Sequence, residues 1–147
     1  MRSALEAARG SLGPDEITIV VDEADRARIP SPTGDRLRDI VVWLENGTTL
    51  SIAFGAWHVH ADTLASPDRP EQQLIEIVAA IVRADILALS ELDGNREGAL
   101  GVIDRRGDDA IEKELTSPYS TGVIRLCSWD GTVDQIVSRG TQEPRSP

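Results

Sequence analysis

At 147 residues and 40% hydrophobic, the chain has the size and apolar content of one domain, with a core drawn from Ile, Leu, Val and Ala because aromatics make up only 3%. A formal net charge of −10 sets its field against a phosphate backbone, which argues against nucleic-acid binding and would attract a basic protein. A single cysteine, Cys127, excludes an intramolecular disulfide and fits a reducing cytoplasm, and no apolar run approaches the ~18 residues of a membrane span.

The opening MRSALEAARGSLGPDE has acids close behind its arginine and no long apolar stretch, unlike a secretory signal. EITIVVDE predicts a first strand with Ile17, Ile19 and Val21 on one side. RIPSPTGDR reads as a loop, since Pro30 and Pro32 oppose regular structure. In LRDIVVWLENGTTLSIAF two apolar runs flank Asn46-Gly47, the pair that best tolerates the positive φ angles of a type I′ turn, so a β-hairpin is expected.

The period then changes. In SPDRPEQQLIEIVAAIVRAD, Asp68 and Glu71 have capping-box spacing and Pro70 suits a first helical turn. Leu74, Ile77, Val78 and Ile81 form one helical stripe, widened by Ile75, Ala79 and Val82, as expected of a helix packed deep against a sheet. ILALSELDGNREGALGVID returns to strands around Asp93-Gly94, joined by a longer loop. GDDAIEKELTSPYSTG is polar, with one short helix ahead of Pro118, and VIRLCSWDGTVDQIVSR closes as a hairpin turning at Asp130-Gly131. With no internal repeat and no linker, the expectation is a single α+β domain over 1–140, an antiparallel sheet built from hairpins with one face covered by a long central helix, and a disordered tail over 141–147.

Both histidines lie in FGAWHVHADTL, and along a strand His58, His60 and Asp62 project to one face. A regular strand from Leu50 onward would put the imidazoles with Leu50, Ile52 and Phe54. A β-bulge at Gly55-Ala56 would shift the phase, so that Trp57 and Val59 continue the core and the histidines turn outward. Two imidazoles and a carboxylate are a donor set for Zn²⁺ or non-haem Fe²⁺. HVHAD resembles the opening of the metallo-β-lactamase motif His-x-His-x-Asp-His, but position 63 is Thr, and the cupin pattern lacks its later histidine.

Other chemistry is sparse. Asp22, Glu23 and Asp25 cluster after the first strand, and Asp108, Asp109, Glu112 and Glu114 later, without a positioned partner, which is the pattern of solvated faces. Lys113 is the only lysine and sits in the charged IEKEL, which argues against a Schiff-base site. Cys127 lies between Leu126 and Ser128 in a strand; a catalytic thiol needs a nearby histidine or another source of positive charge, and a buried apolar cysteine is the usual outcome at such a place. Trp129 precedes a turn and packs at a sheet end or, if exposed, serves as an interface anchor.

SIAFGAWHVHAD, a following helix and a terminal CSWDGTVD resemble the pattern of small acidic bacterial α+β proteins of the polymorphic-toxin immunity type or their uncharacterised relatives, over the central and C-terminal thirds of the chain. The resemblance implies a cytoplasmic, non-enzymatic binder that occludes a basic toxin domain, with no catalytic residues and no cofactor. The expected binding surface comprises Trp57, His58, His60, Asp62, Trp129 and Asp130. The alternative is a small metal-dependent enzyme using His58, His60 and Asp62. A third is a homo-oligomer formed by a sheet edge or helix face pairing with itself.

Overall fold

The structure is a computed structural model, and it describes residues 17–23, 25–46, 49–55, 57–60, 70–93, 96–106 and 122–138, with Glu6 and Gly10. Among the described residues, the elements whose two ends are both seen are nine strands, one 3₁₀ turn and one α-helix. They are β1 (Val20–Glu23), β2 (Arg26–Ile29), the 3₁₀ turn (Arg36–Arg38), β3 (Ile40–Glu45), β4 (Thr49–Phe54), β5 (Trp57–His60), α1 (Pro70–Val82), β6 (Ile86–Asp93), β7 (Arg96–Asp104), β8 (Val123–Cys127) and β9 (Asp134–Ser138). They form two antiparallel sheets, a five-stranded meander β1-β2-β3-β4-β5 and a four-stranded sheet in the order β7-β6-β8-β9.

This corrects the expected α+β fold with one sheet beneath a long central helix. The 13-residue α1 is only about 20 Å long. Strands spaced about 4.8 Å apart outrun that cover within a few neighbours. The sheets therefore bury one another. One apolar cluster joins Ala27, Ile29, Ile40, Val42, Leu50, Ile52 and Phe54 of the first sheet with Ile86, Ala88, Cys127 and Trp129 on the second, and α1 adds Leu74, Val78 and Ile81. A smaller cluster of Leu89, Ile103, Ile124 and Leu126 lies on the other face of the second sheet.

Local chemistry explains the elements. Ile17 is buried and Ile19 packs on the core, but regular pairing begins only at Val20, and Val21 stands half-exposed on an edge strand. Arg26–Ile29, expected in part as loop, pairs with β3 and ends where Pro30 removes the next donor. The hairpin at Asn46 is present, with Asn46 at φ +52, but Glu45 opposes Thr49 and leaves three residues in the loop where a type I′ turn has two. The β6–β7 loop is shorter than expected, since Asp93 opposes Arg96 and only two residues remain between them. β8 and β9 form the expected closing hairpin, with Cys127 opposite Asp134 across the turn. Asp68, the short helix ahead of Pro118 and the 141–147 tail lie outside the described residues.

The phase change at Gly55 comes from a reversal, and the expected bulge is absent. Phe54 opposes Trp57, so the chain turns at Gly55 and β5 folds back on β4. Gly55 has φ +63, and a Cβ there would stand 3.2 Å from Ala88 Cβ of the second sheet, so the turn needs glycine for its conformation and for the close approach of the sheets. The faces nevertheless sort as a bulge would sort them. Val59 lies opposite Ile52 on the core side, while His58 and His60 lie opposite Ala53 and Ser51 on the outer side.

Helix α1 ends in a Schellman arrangement. Ala84 N–H donates to Ile81 O (3.0 Å) and Asp85 N–H to Ala80 O (2.8 Å), with Ala84 itself at φ +57. An L-residue with a Cβ pays about 1 kcal/mol in that left-handed position, which glycine occupies freely. Ala84→Gly is therefore expected to raise unfolding stability by about 1 kcal/mol, read as a higher urea midpoint with an unchanged slope.

Candidate functional site

The outer face of the first sheet assembles from residues of alternate parity. One row runs Glu23, Arg26, Trp43, Ser51 and His60 across β1 to β5, and the next runs Val20, Arg28, Val41, Ala53 and His58. The inward neighbours Val42 and Ile52 are fully buried, so the sheet presents Trp43, Val41 and Ala53 half-buried on its far side. Between them lies a hollow of about 400 Å³ lined by Glu23, Asp25, Arg26, Val41, Trp43 and Ala53.

The two imidazoles border this face. Their ring centroids are 5.5 Å apart and the planes stand nearly perpendicular, at 78°. His58 is exposed. His60 Nδ1 lies 2.8 Å from Ser51 Oγ and 2.9 Å from Glu45 Oε2. Among the described residues no group of three histidine, cysteine or acidic side chains is arranged to hold a metal ion, and Asp62, the third donor expected from sequence, lies outside them.

The other expected surface residues have different surroundings. Trp57 packs half-buried against the core. Trp129 is 5% exposed within that core, and its indole N–H finds no acceptor among the described residues. Asp130 holds its own turn, accepting from Ser128 Oγ (2.6 Å), Thr132 Oγ1 (2.8 Å) and Thr132 N (3.1 Å). Partial burial opposes its ionisation, and these bonds outweigh it to hold the Asp130 carboxyl below the usual range. The structure thus gathers His58 and His60 on one face and sends Trp57 and Trp129 inward. Trp43 is the aromatic that the outer face presents. Its parity in IVVWLE, opposite to Ile40, Val42 and Leu44, is the sequence signal that finds it.

A second cavity, about 100 Å³, lies where the sheets meet and is lined by Leu37, Arg38, Ala88, Ser90, Arg125 and Cys127, among others. Its cations are already engaged. Arg38 donates to Ser128 O (3.0 Å) and Val133 O (3.5 Å) and pairs with Asp134 and Asp35. Arg125 grips Asp134 through two bonds (3.0 and 3.1 Å) and reaches Glu97. Burial pushes the Cys127 thiol upward in pKa, against the pull of both arginines. The histidines project from the outer side of the first sheet, whereas Cys127 packs on its inner side, so the sheet separates thiol from imidazole and no nucleophile–base pair forms. The cavity is the seam of the fold, closed by saturated ion pairs.

Comparison with protein-family models, curated proteins and solved structures finds no significant match. No described helix is long and apolar enough to cross a membrane.

The seam has a pH signature. The Arg125 guanidinium, hydrogen-bonded to Asp134, holds that carboxyl below its ordinary value of 3.8 against the opposing effect of burial, and Arg38 adds to the lowering. A depressed folded-state value contributes stability that is complete above the unfolded pKa and disappears as pH falls through the folded one. Wild type is therefore expected to exceed Asp134→Asn in stability by a constant margin above about pH 5, with the margin shrinking below about pH 4. Urea unfolding at a series of pH values checks this, and a margin that widens on acidification contradicts it.

Proposed function

We propose that this chain is a non-enzymatic, cytoplasmic protein-interaction domain of immunity type that neutralises a basic toxin domain by covering its surface. The observation that carries this reading is the hollow around Trp43, where two acids, Glu23 and Asp25, against one base, Arg26, stand beside a half-buried indole on the outer face of the first sheet. An indole face attracts a lysine or arginine head group, carboxylates beside it pair with the same charge, and Val41 and Ala53 accept the aliphatic stem. The net charge of −10 supports the same choice of partner, because it steers a cationic protein into encounter. The resemblance of SIAFGAWHVHAD and CSWDGTVD to immunity proteins supports the class. His58 and His60 extend the surface at its β5 side. The mechanism is occlusion, in which Trp43 serves as anchor and the acids supply attraction and register.

Calorimetric titration against a basic toxin domain encoded beside this chain tests the reading. The expected result is a one-to-one complex whose affinity falls steadily as salt is raised. A salt-independent affinity, or no binding, rejects it. Trp43→Ala is expected to weaken the complex by about tenfold or more. Glu23→Gln combined with Asp25→Asn should lower mainly the association rate and flatten the salt dependence. Affinity unmoved by Trp43→Ala in a protein that still folds places the contact elsewhere.

A further inference from the structure

Among the described residues four strands, β1, β5, β7 and β9, have one neighbour each, and three of them carry features that block a further strand. β1 has four residues, a register shift between Val21 and Glu23, and the acids Asp22 and Glu23. β5 has only four residues, two of them histidines. β7 is broken by a bulge opposite Leu89/Ser90 and carries Arg96, Glu97 and Asp104. Edges shortened, bulged or charged in this way resist pairing with other chains.

β9 has none of these defences. Its five residues, DQIVS, pair with β8 in unbroken register from Val123↔Ser138 to Cys127↔Asp134. It contains no proline, glycine or lysine. Its one charge, Asp134, is held by Arg125 and Arg38. Four of its five residues are exposed, and Ile136 is 65% exposed, level with the most exposed large apolar residue described. A nearly uncharged strand that pairs on one side only among the described residues, with a projecting isoleucine, is a template for another strand.

We propose that the occupant is β9 of a second copy, paired antiparallel about a two-fold axis through Ile136, which joins two four-stranded sheets into one of eight. The sequence of the strand is complementary to itself in this register. Ile136 meets the second copy's Ile136 as a direct cross-strand pair on one face. Asp134 lies opposite Ser138, a hydroxyl donor, in both symmetry-related positions, and Gln135 lies opposite Val137. No like charges face each other along the strand. The contact is a single five-residue edge, well below the size of obligate interfaces, so the association is a concentration-dependent equilibrium. Two chains of charge −10 repel, and salt screens that repulsion. Self-association therefore strengthens with ionic strength, opposite in sign to steering by a basic partner. The proposal uses the other sheet from the Trp43 face and stands or falls independently of the proposed function.

Sedimentation equilibrium of the full chain, from low micromolar to hundreds of micromolar and at low and high sodium chloride, tests it. The expected result is a reversible monomer–dimer equilibrium that shifts toward dimer with concentration and with salt. Ile136→Lys sets two cations against each other at the axis of an exposed site, and the association constant should fall by about tenfold or more while the thermal midpoint stays near wild type. In a Cys127→Ser background, Ile136→Cys should form a disulfide-linked dimer under mild oxidation, whereas Leu100→Cys on β7 should not. A monomer at every concentration and salt overturns the proposal. So does a dimer that Ile136→Lys leaves intact, or cross-linking no faster at 136 than at 100.

Discussion

The fold depends on one cation placed between two sheets. Arg38 is 5% exposed, and its guanidinium is divided among two carbonyls of the β8–β9 turn, the Asp134 carboxylate of β9 and the Asp35 carboxylate beside its own 3₁₀ turn. A planar group with five donors in fixed directions can hold carbonyls and carboxylates that arrive from different strands, which a lysine ammonium cannot do in the same geometry. Neighbouring bonds follow from this placement. Ser31 Oγ–H donates to Trp129 O at 2.6 Å, and Asp39 accepts from Ser31 N–H and from Arg28. Gly131 sits so near that a Cβ there would meet Thr33 Cγ2 at 2.6 Å. The polar seam thus fixes the relative position of the sheets, and the apolar cluster beneath it supplies the burial energy without a preferred alignment of its own.

Much of the local structure was legible in the sequence, and its assembly was not. The 3.6-residue stripe of Leu74, Val78 and Ile81 marks the buried face of α1, and Asn46 and Gly131 mark two of the reversals. β2 was missed because a four-residue strand with two arginines carries almost no period, and only its pairing with β3 reveals it. The division into two sheets left no local trace. Hairpins show the same alternation whether they extend one sheet or start another, and the choice rests on long-range contacts such as Arg38 to Ser128 and Ser31 to Trp129, which are about ninety residues apart or more.

The surface shows the same division. Sorting of residues by face was readable, and the outward histidines and inward Trp57 and Val59 follow from parity once the chain reverses at Gly55. A bulge and a tight turn give the same parity change, so the phase alone could not tell them apart. Trp43 was passed over because it stands in a run of apolar neighbours, where only strict alternation separates an outward indole from a core one. Trp129 illustrates the reverse case, since a tryptophan beside a turn reads either as packed at a sheet end or as a surface anchor, and only the opposing sheet decides for the buried position.

The three tryptophans therefore occupy three distinct optical environments. Trp129 is enclosed in the shared core at the seam, Trp57 lies half-covered at its margin, and Trp43 borders the open hollow. Indole emission moves to shorter wavelengths as water is excluded, so the enclosed ring emits at the blue end of the band and reddens when the sheets part. Ring Trp43, beside the solvent, responds to a ligand laid across the outer face while the enclosed one stays dark to it. Unlabelled protein thus carries separate spectroscopic channels for unfolding and for recognition.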